Sequence, residues 1–125
     1  MIIKFVTIYV KNMEMSLQFY KKLGFTEVRR IDHMEGMLMV FLKDSEEGLI
    51  ELIENKHNPV SDKPIKDSVV SIGLSVKDIH QTIKTLKDND IELHKGPIEV
   101  PSGEIIAFIK DPNGVEIEFI QGFKA

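Results

Sequence analysis

The sequence contains no cysteine, and this absence removes several chemistries at once. Disulfide bonds, thiolate zinc sites and a cysteine nucleophile are all excluded. Long apolar runs are missing too, since the longest, Met37–Leu42, is far too short to span a bilayer. The net charge of −4 argues against a nucleic-acid partner, which would require a basic face. The first residues form a strand-like run without a signal-peptide pattern, so we expect a cytoplasmic protein with no membrane partner.

The 125 residues are enough for one ordinary domain with a sizeable core, at 42% hydrophobic and 29% charged residues. The clearest local signal lies at 104–120, where two apolar-rich runs flank the sequence DPNG at 111–114. These four residues occupy the positions that they prefer in a type I turn, which predicts a hairpin. In its outgoing strand Glu116 and Glu118 alternate with apolar residues, and taken alone this pattern is typical of a solvated strand face.

The first half of the chain begins with a predicted strand at 2–10, followed by a helix with Asn12 as its N-cap and Gly24 just past its end. One helical stripe is apolar: Met13, Leu17 and Tyr20. A turn at 32–36 separates the first two of three further predicted strands, which are 25–31, 37–42 and 49–53.

The second half starts the same pattern again, with a strand at 69–76 and a helix capped by Asp78. Its helical stripe is also apolar: Ile79, Ile83 and Leu86. We predict that the strand character resumes at 91–93, that Gly96 and Pro97 form a turn, and that the closing hairpin follows.

This restart is an internal repeat. The segment 10–13 matches 76–79 at an offset of 66 residues, and 48–54 matches 114–121 after a one-residue insertion, which pairs Glu51 with Glu118. Duplication of this kind is a strong organisational signal. We therefore predict a single α+β domain, 1–125, composed of two βαβββ modules at 1–54 and 69–125 that are joined by a linker loop at 55–68.

Each helix must cover one face of its sheet, so the helix-side residues should be the apolar ones. They are Val6, Ile8, Val10, Ile50, Leu52, Ile72, Leu74, Val76, Ile117 and Phe119. The opposite face is mixed and partly polar, as a cleft lining would be, and carries Phe5, Thr7, Tyr9, Glu51, Ser71, Gly73, Ser75 and Glu118. Met37, Met39 and Phe41 either line a pocket or pack in the core.

The pattern resembles the vicinal-oxygen-chelate superfamily, which groups glyoxalases, bleomycin resistance proteins and extradiol dioxygenases. The resemblance rests on SLQFYKKLGF at 16–25, IEL around Glu51, IGLSV at 72–76 and AFIKDPNGVEIEFI at 107–120. It is strongest to lactoylglutathione-lyase-like members. It implies a glyoxalase-like fold, in which two βαβββ modules form a curved mixed sheet around a cleft.

In metal-dependent members, the resemblance implies one His and one Glu from each module as ligands. Carried over by position, these ligands fall on Phe5, Glu51, Ser71 and Glu118, so both carboxylates are kept and both imidazoles are missing. We therefore expect no cofactor and no tightly bound nickel, zinc or iron. Glu51 and Glu118 alone leave open a weakly held, hydrated magnesium or calcium ion. Four histidines occur elsewhere, at positions expected to be exposed: His33, His57, His80 and His94.

Two functions from different classes follow from the resemblance. The first is a binding protein for a small organic molecule, with ligand-binding residues Phe5, Thr7, Tyr9, Met39, Ser71 and Ser75. The second is a divergent lyase or isomerase in which Glu51 or Glu118 is the catalytic general base. A dimeric scaffold without a ligand is the third alternative. Small members of the superfamily commonly pair, so we expect a homodimer in each case.

Overall fold

The structure, a computed structural model, describes residues 1–61 and 69–124. The chain divides into two compact units, Met1–Lys63 and Pro64–Ala125. The first unit contains β1 (Val6–Tyr9), α1 (Met13–Lys22), β2 (Thr26–Ile31), β3 (Met37–Lys43) and β4 (Leu49–Asn55). The second unit contains β5 (Ser71–Val76), α2 (Ile79–Asp88), β6 (Lys95–Glu99), β7 (Ile105–Lys110) and β8 (Glu116–Gln121).

Each unit is a four-stranded mixed sheet with one helix. The strand orders are β1-β4-β3-β2 and β5-β8-β7-β6. The first and last strands of each unit run parallel, while the other neighbours are antiparallel. The helix carries the chain from the first strand to the far edge of the sheet, and hairpins then return it to the first strand's side. The predicted α+β class and the βαβββ repeat are confirmed.

The module boundaries 1–54 and 69–125 and the linker 55–68 stay predictions. In the described part of that linker, Asn55 is the last residue of β4, and a turn follows at 56–57. The remainder of the predicted linker, 62–68, lies outside the described residues. Within the described ranges, neither ten-residue helix has the length and apolar character needed to cross a membrane.

The core of each unit is made by the helix stripe and the apolar face of the sheet. The stripes are buried as predicted, except that Ile83 is only half-buried. The buried members of the predicted helix-side set are Ile8, Val10, Ile50, Leu52, Ile117 and Phe119, and the half-buried members are Ile72, Leu74 and Val76. Val6 lies on the same face, in register with the buried Ile50, but it begins the edge strand β1 and is 40% exposed.

The helix ends repeat in the two units. The side chains of Asn12 and Asp78 accept hydrogen bonds from backbone N–H groups of the first turn, so both predicted N-caps are confirmed. Gly24 adopts φ +96° after α1, and the N–H of Phe25 donates to the carbonyl of Tyr20 at 3.0 Å. This Schellman motif also brings the Phe25 and Tyr20 rings together, with centroids 5.7 Å apart.

The last strand of each unit also holds the start of its helix. A Glu54 carboxylate oxygen accepts from the N–H of Met13 at 2.6 Å, and the Gln121 side-chain oxygen accepts from the N–H of Ile79 at 2.8 Å. The first N–H groups of a helix have no partner within the helix, so each contact satisfies a donor that would otherwise be unpaired. The repeat thus fixes helix to sheet in the same way twice.

The predicted hairpin at 104–120 is confirmed. The N–H of Gly114 donates to the carbonyl of Asp111 at 3.0 Å, which closes the turn. The Asp111 carboxylate accepts from the N–H groups of Asn113 and Val115, at 2.8 and 2.9 Å. Because Asp111 and Asn113 are both buried, these bonds anchor the turn inside the unit rather than at its surface.

Two strand predictions are wrong in detail. The first strand is short, since β1 begins only at Val6 rather than at residue 2. The run 91–93 is not a strand; Ile91 instead completes a Schellman motif after α2, with its N–H donating to the carbonyl of Leu86 at 2.9 Å. The strand β6 lies further on and contains Gly96 and Pro97, whose peptide bond is cis, rather than ending before them. Proline is tolerated there because β6 is an edge strand.

Candidate functional site

Glu51 lies at the middle of β4 on the face opposite the core. Its neighbours Ile50 and Leu52 are buried, so strand alternation turns Glu51 to the other side, where it is half-buried. The Thr7 hydroxyl, directly opposite on β1, donates to Glu51 Oε1 at 2.7 Å. This bond joins two sheet neighbours that are 44 residues apart in the chain, and it fixes the carboxylate on this face.

An aromatic pair lies beside this carboxylate. Phe41 on β3 is paired in register with Glu51, and the Phe5 ring packs perpendicular to the Phe41 ring with centroids 5.3 Å apart. Such edge-to-face contacts are a preferred arrangement of aromatic rings. Phe5 precedes β1 and stays 43% exposed, so the two rings form an aromatic corner that is open to solvent.

The in-register residues Thr7, Glu51, Phe41 and Arg29 form one line across the first sheet, which we call the Glu51 row. The next line on the same face contains Tyr9, Ile53, Met39 and Ile31. Tyr9 is 61% exposed and Met39 is half-buried, whereas Val40 and Leu42, on the other side of β3, are fully buried. Met39 and Phe41 therefore share the face of Glu51, and their neighbours fill the core.

The second sheet contains an equivalent line, the Glu118 row, which consists of Gly73, Glu118, Phe108 and Lys95. Lys95 Nζ lies over the Phe108 ring, 5.7 Å from its centroid. The two rows match position by position, because each runs from a small or hydroxyl residue through a glutamate and a phenylalanine to a cation on the edge strand.

The two rows differ in what surrounds the carboxylate. Gly73 stands where Thr7 stands in the first sheet, and Ser71 stands where Phe5 stands. In the described part of the chain, Glu118 consequently has no hydrogen bond like the one that Thr7 makes. Ser71 and Ser75 are exposed on β5 and pair in register with Glu116 and Ile120. The first sheet thus holds its glutamate more firmly than the second.

The predicted site residues fall into two sets. The first sheet brings together Phe5, Thr7, Tyr9, Met39 and Glu51, and the second places Ser71, Ser75 and Glu118 on one face. The prediction that Glu51 and Glu118 face one cleft stays a prediction.

Sequence reasoning left Phe41 between a pocket and the core, and it missed Phe108, Arg29 and Lys95 as functional positions. A signal for the rings was present, because VFLKD at 40–44 and AFIKD at 107–111 are similar and lie 67 residues apart.

The histidines have other surroundings. His57 Nε2 lies 3.3 Å from the carbonyl oxygen of Glu35, and the ring packs against Gly36, so it is tied to the β2–β3 turn. His33, His80 and His94 are exposed.

Arg30, on the edge strand β2, forms an ion pair within its own strand. Arg30 Nη2 lies 2.7 Å from a Glu27 carboxylate oxygen, and this contact lowers the pKa of Glu27. Arg30 pairs in register with Val40, whereas its neighbour Arg29 pairs with Phe41 and belongs to the Glu51 row.

Comparison with known proteins now identifies the family. Residues 2–119 match the model of the glyoxalase/bleomycin resistance protein/dioxygenase superfamily. The chain belongs to this superfamily. A probable lactoylglutathione lyase of Synechocystis is 35% identical over 121 residues, covering 91% of this chain and 90% of the relative. A lactoylglutathione lyase of Neisseria meningitidis is 31% identical over 117 residues, covering 90% and 84%.

Solved structures of glyoxalase proteins have the same fold. A glyoxalase family protein from Enterococcus faecalis superposes with a TM-score of 0.78 at 24% identity, covering 95% of this chain and 96% of that chain. A glyoxalase I mutant from Zea mays superposes with a TM-score of 0.81 at 22% identity, covering 97% of this chain but 45% of that chain. The predicted superfamily and glyoxalase-like fold are confirmed.

The residues at the positions that the resemblance assigns to metal ligands do not fit a transition metal. Phe5 offers only an aromatic ring, packed on Phe41, and Ser71 offers a neutral hydroxyl. Within residues 1–61 and 69–124, no three His, Asp or Glu side chains come close enough together to hold a metal ion. Nickel, zinc and iron sites in proteins rely on imidazole or thiolate donors, which these positions lack.

Proposed function

We propose that this superfamily member binds a small organic molecule on the Glu51 face and has lost the metal-dependent chemistry of its relatives. The observation that carries the proposal is the Thr7–Glu51 hydrogen bond beside the Phe5–Phe41 pair. An apolar wall with one oriented polar group is the usual composition of a small-molecule site. Tyr9 and Met39 extend the wall. Ser71, Ser75 and Glu118 are the corresponding predicted residues on the second sheet's own face.

A divergent lyase or isomerase is the second candidate, and it is favoured by the relatives named lactoylglutathione lyase. In this alternative, Glu51 or Glu118 removes a proton from a carbon next to a carbonyl group and returns it to the neighbouring carbon. A positioned carboxylate contributes roughly 10²- to 10⁴-fold to such a proton transfer. The presence of a glutamate in both rows also favours this alternative, because a binding site needs only one carboxylate.

Ligand screening of the matched variants Glu51→Gln, Glu118→Gln and Glu46→Gln tests the proposal. We expect at least one chemical class in a panel of cationic, anionic, hydroxylated and neutral aromatic compounds to bind, as measured by ligand-observed NMR. Glu51→Gln should weaken that binding, while Glu46→Gln, in the exposed β3–β4 turn, should not. Conversion of the methylglyoxal–glutathione hemithioacetal that falls about 10²-fold in Glu51→Gln or Glu118→Gln would favour the lyase instead. Binding by no class would refute the proposal.

We also predict that protein purified without chelator contains no stoichiometric nickel, zinc or iron. The physical reason is that Phe5 and Ser71 replace the two imidazole donors, so two carboxylates remain, which suit only weakly held magnesium or calcium. Elemental analysis by mass spectrometry measures this directly. One equivalent of a transition metal per chain, lost in Glu51→Gln, would contradict the prediction and show that other side chains coordinate the metal together with Glu51.

The assembly and location of the protein are further proposals, based on the resemblance. We propose a homodimer in the cytoplasm, with a single domain over 1–125 that is divided into modules at 1–54 and 69–125. The small-molecule ligand is the only partner besides the second subunit.

A further inference from the structure

We infer that the ligand of the Glu51 face is a small organic cation, whose charged group lies against the Phe41 ring beside Glu51. This inference rests on the proposed function and names the ligand class for the same face. In the second sheet, a cation of the chain itself occupies the corresponding place.

The Glu118 row contains its own cation. Lys95 Nζ lies over the Phe108 ring, 5.7 Å from the centroid, and Phe108 is the in-register neighbour of Glu118. A cation within about 6 Å of an aromatic centroid is attracted by the negative face of the ring. The second sheet therefore pairs a ring next to a carboxylate with an ammonium group supplied from the edge strand.

The Glu51 row also has a phenylalanine ring next to a carboxylate, but in the described residues it has no cation placed over that ring. Phe41 and Glu51 are in-register neighbours, and Arg29 takes the edge position of Lys95. In the described residues, no Lys or Arg lies over the Phe41 ring. The place that an ammonium group occupies in the second sheet is thus left for a ligand in the first.

The surroundings of Phe41 strengthen this site. The perpendicular Phe5 ring adds a second aromatic surface, whereas the second sheet has Ser71 at that position. The Thr7 hydroxyl holds Glu51 Oε1, and in the described residues Oε2 accepts no hydrogen bond. An ionised carboxylate accepts hydrogen bonds and attracts positive charge, so a cation between Glu51 and Phe41 would be stabilised by both groups.

The opposite ligand charge is less well supported. Arg29 could attract an anion, since it lies on the exposed edge strand as the in-register neighbour of Phe41, about 5 Å of backbone away. An anion against Phe41 would meet the negative face of the ring and the carboxylate together. Arg29 therefore competes with a bound cation rather than helping it.

The test uses choline and its neutral isostere 3,3-dimethyl-1-butanol, in which carbon replaces the charged nitrogen. Amide chemical-shift titration of the wild-type protein should show choline binding at Thr7, Phe41 and Glu51 about tenfold more tightly than the isostere, which is about 1.4 kcal/mol. Equal affinities for the two compounds, or shifts that are absent from these residues, would overturn the inference.

Four variants sharpen the test. Glu51→Gln and Phe41→Leu should each reduce the choline preference to about threefold or less, with unchanged amide spectra elsewhere as the check on folding. Lys95→Ala should open a second, weaker choline site at Phe108, because its own cation is removed. Arg29→Gln should leave choline affinity unchanged or raise it, and a loss of affinity would contradict the inference of a cationic ligand.

The outcomes separate the inference from the proposed function. If neutral or anionic compounds bind with dependence on Glu51 and choline does not, the proposed function stands and the cation inference fails. If no compound of any class binds the wild-type protein, both fail.

Discussion

Replacing Gly96 by alanine should lower the free energy of unfolding by about 3 kcal/mol, or about 10 °C in melting temperature. Gly96 adopts φ +93° in the edge strand β6, a backbone conformation that residues with a side chain rarely adopt. A Cβ atom there would lie 2.7 Å from the carbonyl oxygen of Ile106 and 3.0 Å from Cα of Ala107. Both obstacles are backbone atoms of β7, so they cannot rotate away. Thermal and urea unfolding of the purified variant measure the effect.

The matched control is Gly24→Ala. Gly24 has almost the same φ, +96°, but an added Cβ atom would meet no other atom within 4 Å, so only the conformational cost applies. We expect this variant to lose about 1 kcal/mol. Equal losses at the two positions would mean that β6 moves away from β7 at little cost and that the close approach does not matter.

The same region shows why the sequence misplaced one strand. The alternation in 91–93 is typical of a strand, and Gly96 with Pro97 is typical of a turn. The repeat itself was aligned correctly, because Ile91 has the role of Phe25: each completes a Schellman motif after its helix. In the first unit β2 starts directly afterwards at Thr26, whereas in the second β6 starts only at Lys95. Local strand propensity does not indicate this later start of β6, because the start is set by pairing with β7.

The predicted repeat was more informative than any single motif. Apolar alternation and the helix stripes predicted both sheets, both helices and most of the core. The Glu54 and Gln121 contacts to the helix starts could not be predicted, because they depend on how each strand ends beneath its helix. Side-chain bonds between elements distant in the chain leave no periodic signal.

For the candidate site, alternation correctly placed Thr7 and Glu51 on one face, since both strands keep the two-residue period. The positions of the edge-strand cations Arg29 and Lys95 could not be predicted from the sequence. Register irregularities interrupt the pairing between Glu27 and Arg29 and between Lys95 and Ile98, so counting by twos along these strands fails. Only the strand pairing shows that Arg29 and Lys95 lie beside the two phenylalanines.

Replacing Asp111 by alanine should also cost about 3 kcal/mol, measured by urea unfolding. The Asp111 carboxylate accepts from the N–H groups of Asn113 and Val115, and both Asp111 and Asn113 are buried. Hydrogen bonds to a charged acceptor are worth about 1.5 kcal/mol or more, and their loss here leaves backbone donors without partners. The variant should unfold in a single transition at lower urea concentration, because the hairpin belongs to the core of its unit.

The repeat supplies the control for this prediction. Asp44 accepts from the N–H groups of Glu46 and Gly48 at 2.8 and 2.9 Å, as Asp111 does 67 residues later, but its turn is exposed. Water can replace the lost acceptor there, so Asp44→Ala should cost only about 1 kcal/mol. The difference of about 2 kcal/mol between the two variants isolates the effect of burial on one and the same hydrogen-bond pattern. Equal costs would show that burial adds nothing to the strength of this turn.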